Sequence, residues 1–128
     1  MTQEDKELLL KDLCSRLPYG IKFLRESWNY EWDQEQTVIE VLEDIDKDGY
    51  INNTKVYDVG DIKPYLFPMS SMTEEQSKVY HELINGMFGT SALINFEVLT
   101  DFFNANHLDY RGLIKKGLAI DATGLNIY

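Results

Sequence analysis

Three carboxylates at alternate positions carry the sharpest chemical pattern in the chain. Asp44, Asp46 and Asp48 lead into Gly49, and the run Asp44-Ile45-Asp46-Lys47-Asp48-Gly49-Tyr50-Ile51-Asn52 follows the order of an EF-hand calcium loop. Calcium takes several hard oxygens at flexible geometry, and alternate carboxylates around a sharp glycine turn supply them. The aspartates would fill the first, third and fifth places, Gly49 the sixth and Ile51 the eighth. The twelfth place calls for a bidentate Glu but holds Lys55. That exchange removes two oxygens and brings in a cation, with repulsion of about 4 kcal/mol per unit charge at roughly 4 Å and an effective dielectric near 20. Glu43 and Glu40 stand where an entering helix needs apolar residues, and Asn52-Asn53, Gly60 and Pro64 suit turns better than an exiting helix. The pattern therefore reads as a β-hairpin turning at Lys47-Asp48-Gly49. Asp44, Asp46 and Asp48 are rejected as metal ligands, and weak calcium binding through residues 44–52 stays as an alternative.

Other chemistry-bearing residues are sparse. His81-Glu82 lacks the second His that a zinc-protease helix needs, since Asn85 occupies that place. His107 falls at the end of a helical stretch, where a cationic ring would favour the helix dipole. Two His and one Cys make a zinc site improbable, and no cofactor is expected. Cys14 lies among Leu10, Leu13 and Leu17 and is expected to be a buried small hydrophobe. No catalytic constellation stands out, so catalytic residues are not assigned and a small enzyme of unrecognised type is a lesser alternative. The candidate partner contacts are Tyr65, Phe67, Met69 and Met72, which form either a buried connector or an adaptable Met-rich surface. Tyr110 and Arg111 join them as residue types enriched in binding hot spots.

The elements that must position these groups follow from periodicity. Thr2 with Asp5 three residues on, then Leu9, Leu10, Leu13 and Leu17, predicts a helix over 3–16 that ends at Pro18 and Gly20. Residues 20–66 are β-rich, with Trp28, Tyr30 and Trp32 alternating against polar neighbours. Thr37 to Ile45 fits either a strand or a helix, and its Val and Ile content with Asp48-Gly49 just after favours a strand pairing with residues 50–57. Residues 73–118 are helical: a capping box at Thr73–Gln76, a helix ending near Gly86, another over 96–104, and a short fourth after Asp109 ending near Gly117. Ala119 to Ile127 is a strand or a tail. The fold class is α+β in a single domain, 1–128. It has an N-terminal helix, a small antiparallel sheet, partly rolled or open, and two to three C-terminal helices.

Composition bounds the function. The 128 residues are 44% apolar and include eight Tyr, six Phe and two Trp, enough for one packed core without disulfides. Net charge is −10, and residues 18–64 hold eleven Asp or Glu against five Lys or Arg. Phosphate contacts need Lys and Arg, so nucleic acid is not an expected partner. An acidic start and the lack of any long apolar run predict a cytoplasmic chain with no membrane partner.

Several stretches resemble a family of small uncharacterised proteins of gut anaerobic bacteria and their phages or mobile elements. They are Glu4 to Leu13, Ile62-Lys63-Pro64-Tyr65-Leu66, Pro68-Met69-Ser70-Ser71-Met72-Thr73-Glu74-Glu75, and Asp109-Tyr110-Arg111-Gly112-Leu113-Ile114 with Lys116-Gly117-Leu118-Ala119. About half of the chain carries the resemblance, and Arg25 to Gly60 stands outside it. The resemblance implies a cytoplasmic accessory role and brings no site residue. The expected function is a non-enzymatic interaction protein with a protein partner; mimicry of nucleic acid by the acidic middle is a variant of it.

Overall fold

The computed structural model describes residues 1–29, 34–53, 55–86 and 92–128. Helix α1 (Gln3–Arg16) begins at Thr2, whose Oγ1 accepts from Asp5 N at 3.1 Å while the Asp5 carboxylate accepts from Thr2 N at 3.2 Å. The reciprocal box satisfies two amides near the helix start. Pro18 sits in a short 3-10 turn, and Gly20 at φ +69° redirects the chain. The buried stripe of α1 is Leu9, Asp12, Leu13 and Arg16. Cys14 is exposed, which corrects the expectation of a buried thiol. At roughly 100° per residue, Cys14 falls on the side of the helix away from that stripe.

Strands β1 (Lys22–Asn29) and β2 (Gln34–Val41) form an antiparallel hairpin in register from Lys22↔Val41 to Asn29↔Gln34. The segment that fitted helix and strand equally is therefore strand. Tyr30 and Trp32 of the expected alternation lie outside the described residues. On its other side β1 pairs antiparallel with β5 (Ile62–Leu66), through Phe23↔Pro64, Leu24↔Lys63 and Arg25↔Ile62. β5 pairs in parallel with β6 (Ile120–Asp121), giving the order β2-β1-β5-β6. The expected all-antiparallel sheet thus gains one parallel pair at its edge.

The pairing of residues 37–45 with 50–57 needs correction. The strand pairs with β1 instead, and across the acidic turn only Ile45 bridges to Ile51. Strands β3 (Ile51–Asn52) and β4 (Val56–Tyr57) make a separate two-residue ribbon. The turn itself forms, with Gly49 at φ +85° and Gly49 N donating to Asp46 O at 3.0 Å. A favourable local turn is outweighed by the longer ladder with β1.

One core joins these parts: Leu9 and Leu13 of α1, Ile21 and Phe23 at β1, Leu42, Ile51, Val59, Ile62 and Leu66, and Leu113, Leu118 and Ala119 from the C-terminal segment. Each large aliphatic or Phe side chain buried here contributes about 1.5–3 kcal/mol. Helix α2 (Glu74–Gly86) starts with the expected box, Gln76 N donating to Thr73 Oγ1 at 3.1 Å and Thr73 N to Gln76 Oε1 at 3.0 Å. It packs against α3 (Ala92–Ala105) through Tyr80 and Phe103, with ring centroids 5.9 Å apart. Among the described residues no helix is long and apolar enough to cross a membrane.

The expected fourth helix is absent; residues 109–117 form turns. The Asp109 carboxylate accepts from Leu113 N at 2.8 Å and Ile114 N at 2.9 Å. Gly112 and Gly117 adopt φ of +73° and +75°, which a helix interior excludes. The turns place Leu113 and Leu118 in the core and deliver the chain to β6.

Candidate functional site

In the acidic turn, Asp46 is occupied by the turn's own backbone. Its carboxylate accepts from Asp48 N at 2.9 Å, Tyr50 N at 3.0 Å and Asn52 Nδ2 at 3.2 Å. These bonds, that from the Tyr50 amide foremost, hold its pKa below the usual carboxylate value. Among the described residues no three metal-ligating side chains are gathered, and Asp44 and Asp48 do not converge with Asp46 on one point.

The connector nominated for partner binding is tied to the end of α3. Phe67 N donates to His107 O and Asp109 N to Phe67 O, each at 2.8 Å. Tyr65 is buried, while Phe67, Met69 and Met72 are partly buried. Tyr110 and Arg111, also partly buried, belong to a polar cluster that sequence reasoning missed. Asp12, fully buried, accepts from Arg16 Nε at 2.8 Å and from Arg111 Nη1 at 2.8 Å. Arg16 Nη2 donates to Leu108 O at 2.7 Å, and the Tyr110 ring lies 5.3 Å from the Arg16 and 4.5 Å from the Arg111 guanidinium carbon. Helical phase could have found it, since Asp12 and Arg16 share the stripe of Leu9 and Leu13. The six nominated residues therefore lie at two places, and the arrangement around Tyr110 and Arg111 chiefly fastens α1 to the segment after α3.

His107 is not a dipole-capping cation. It follows α3 at φ +56°, and its ring stacks on Tyr128 at 3.8 Å between centroids. Burial first, then the charges of Arg16 and Lys22, lower its pKa to about 4, so the ring is neutral at pH 7. The Tyr128 hydroxyl accepts from Lys22 N at 2.9 Å and donates to Tyr65 O at 2.8 Å. It bridges β1 and β5 just beyond their last paired residues, and burial raises its pKa to about 12.

The two faces of the sheet differ. Successive side chains alternate, so Phe23, Glu40, Ile62 and Pro64 share one face, and Lys22, Leu24, Ile39, Val41, Lys63 and Tyr65 the other. On the first face Arg25 pairs with Glu40 and lies 5.1 Å over the Tyr57 ring. Burial pushes the Glu40 carboxyl up, but hydrogen bonds from Arg25, Tyr57 and Asn53 outweigh it and hold the pKa below its ordinary value. An open cleft of about 600 Å³ adjoins this pair, lined in part by Arg25, Tyr57, Asp61 and Lys63.

On the second face the β5 side meets Tyr128, which touches Phe67 and lies 5.6 Å below the Lys22 ammonium. The β1–β2 side is open: Ile39 is 49% and Val41 46% exposed, neighbours on one face of an edge strand. Leu24, directly across from Ile39, is partly buried. The cue for this patch was the Ile39, Val41 alternation itself, but Val38, Val41, Leu42 and Ile45 fit one face of a helix equally well, so the sequence left open which residues face the core. Comparisons with family models, curated proteins and solved structures find no match for the chain.

Proposed function

We propose that this chain is a non-enzymatic interaction protein, an accessory component of a bacterial or phage system, which binds a protein partner through the open side of the β1–β2 hairpin. The observation that carries the reading is the pair Ile39 and Val41, half exposed and adjacent on an edge strand, where apolar side chains do nothing for the fold's own core. Edge strands are ordinarily protected by charge, proline or a covering element. Here the second face carries aliphatic groups flanked by Lys22 and Lys63, the pattern of an apolar contact with a polar rim. The connector residues serve this reading less well, because Tyr65 is buried and Phe67 is held against Tyr128.

A photo-crosslinking residue placed at position 39, compared with one at Lys116 on the exposed C-terminal turn, tests the reading in cells that encode the chain. The expected result is one dominant adduct of defined mass from position 39 and none of that mass from position 116. Equal, diffuse labelling from both positions contradicts it.

A further inference from the structure

The outer edge of β2 has a definite hydrogen-bonding phase. Leu42 N donates to Ile21 O at 2.8 Å, so residues 42, 40, 38, 36 and 34 exchange bonds with β1. The alternate residues, Glu35, Thr37, Ile39 and Val41, turn their N–H and C=O groups away from β1. The hydroxyl of Tyr128 on Lys22 N fits the same phase, since Lys22 turns its backbone away from β2. Among the described residues no strand pairs with this outer edge.

At one end the edge is already taken, by a side chain. Asn53 Nδ2 donates to Val41 O at 2.7 Å, and Asn53 Oδ1 accepts from Glu43 N at 3.0 Å. One primary amide thus makes the two bonds that a residue of a neighbouring strand would make. It closes the edge at Val41 and leaves Ile39, Thr37 and Glu35 beyond it.

The occupant follows from charge and geometry. Residues 34–44 contain Glu35, Glu40, Glu43 and Asp44 and neither Lys nor Arg, in a chain of net charge −10. A second copy would bring the same carboxylates and a further net charge of −10 against this edge, an unfavourable approach of like charge. A basic segment meets the opposite condition. Resting on the interaction reading above, we infer that an extended, lysine- or arginine-bearing segment of another protein adds to the outer edge of β2 as a fifth strand. Asn53 limits its register, and alternate aliphatic side chains of the segment lie beside Ile39. Backbone pairing supplies affinity in this mode, and alternate side chains supply selectivity.

The test uses the full chain and a capped ten-residue peptide alternating Lys and Val, with a Glu-Val peptide as control. Amide hydrogen exchange is followed by NMR. The Lys-Val peptide is expected to slow exchange at Glu35, Thr37 and Ile39 at least tenfold, and the Glu-Val peptide to leave these amides unchanged. Ile39→Pro removes an outward N–H without touching the ladder to β1, a position where edge strands accept proline, whereas Ile39→Ala keeps that donor. Affinity is expected to fall at least tenfold in Ile39→Pro and no more than threefold in Ile39→Ala. Equal loss in both variants would overturn strand addition while leaving a face-on interaction, and so the broader reading, intact. No protection by the Lys-Val peptide, or equal protection by the Glu-Val peptide, would also overturn the inference. The crosslinking experiment at position 39 decides the broader reading separately.

Discussion

Replacing Asp12 with Ala should be the most damaging single change in α1, although Ala is the better helix former. Asp12 and Arg16 are both fully buried, and Asp12 receives one 2.8 Å bond from each of two arginines. Arg111, partly exposed, swings to water once its acceptor is gone. Arg16 cannot, because it is held beneath the fold with Nη2 on Leu108 O at 2.7 Å. The substitution therefore strands a buried guanidinium, at a cost of about 3–5 kcal/mol. The gain in helix propensity returns at most about 0.7 kcal/mol. For a domain with a total stability of roughly 5–15 kcal/mol, the net loss is a large fraction. Arg111→Met should cost less, about 1.5–3 kcal/mol, since Arg16 still neutralises Asp12. Urea unfolding followed by circular dichroism measures both variants, with an unchanged m-value showing that the same surface is exposed. A loss below about 1 kcal/mol for Asp12→Ala, or a larger loss for Arg111→Met, would show that Asp12 is not the counter-ion of a trapped charge.

Three further outcomes are expected. His107 has its pKa lowered from 6.5 to about 4, so between these values the unfolded chain binds the proton that the folded chain refuses. Stability should therefore be intact above pH 6.5 and lost as pH falls through 4. The span corresponds to roughly 3 kcal/mol, cut by solvent screening of a partly exposed ring to about 1–2 kcal/mol; His107→Asn, which tolerates the positive φ, should flatten the urea midpoint against pH. Gly49→Ala should cost about 1–2 kcal/mol in the same assay, because φ is +85° and a Cβ would approach Leu10 Cδ2 to 3.0 Å. Asp46→Ala should lower the thermal midpoint more than Asp44→Ala or Asp48→Ala, equally in calcium and in chelator; a calcium-dependent difference would restore the metal reading of this turn.

The helix starts were legible because their signals are local. Thr2 with Asp5 and Thr73 with Gln76 form the boxes that their spacing predicts. The strand over 37–45 was legible in kind but not in partner. Asp48-Gly49 correctly marks a turn, yet a turn fixes only its own bridge, and the long-range ladder to β1 decides where Val38 to Val41 go. The fourth helix failed for a related reason: Asp109 offers its carboxylate to amides that a helix would need, and the glycines after it reverse the chain. Asp12 and Arg16 were hidden by their type, since charged residues are read as solvent-facing even when their phase places them beside Leu9 and Leu13. Of the candidate site, the alternation at Ile39 and Val41 was visible, but the face it presents depends on a register set by residues far away in sequence.

Ile39 and Val41 are proposed to serve a partner and not the fold. The direct measurement is the stability of the Ile39→Lys, Val41→Lys double variant alongside its crosslinking through a photo-reactive residue at position 24, directly across from residue 39. Stability is expected to stay within about 0.5–1 kcal/mol of the parent, as for other surface changes, together with loss of the partner adduct. A destabilisation above about 2 kcal/mol, or an undiminished adduct, would contradict it.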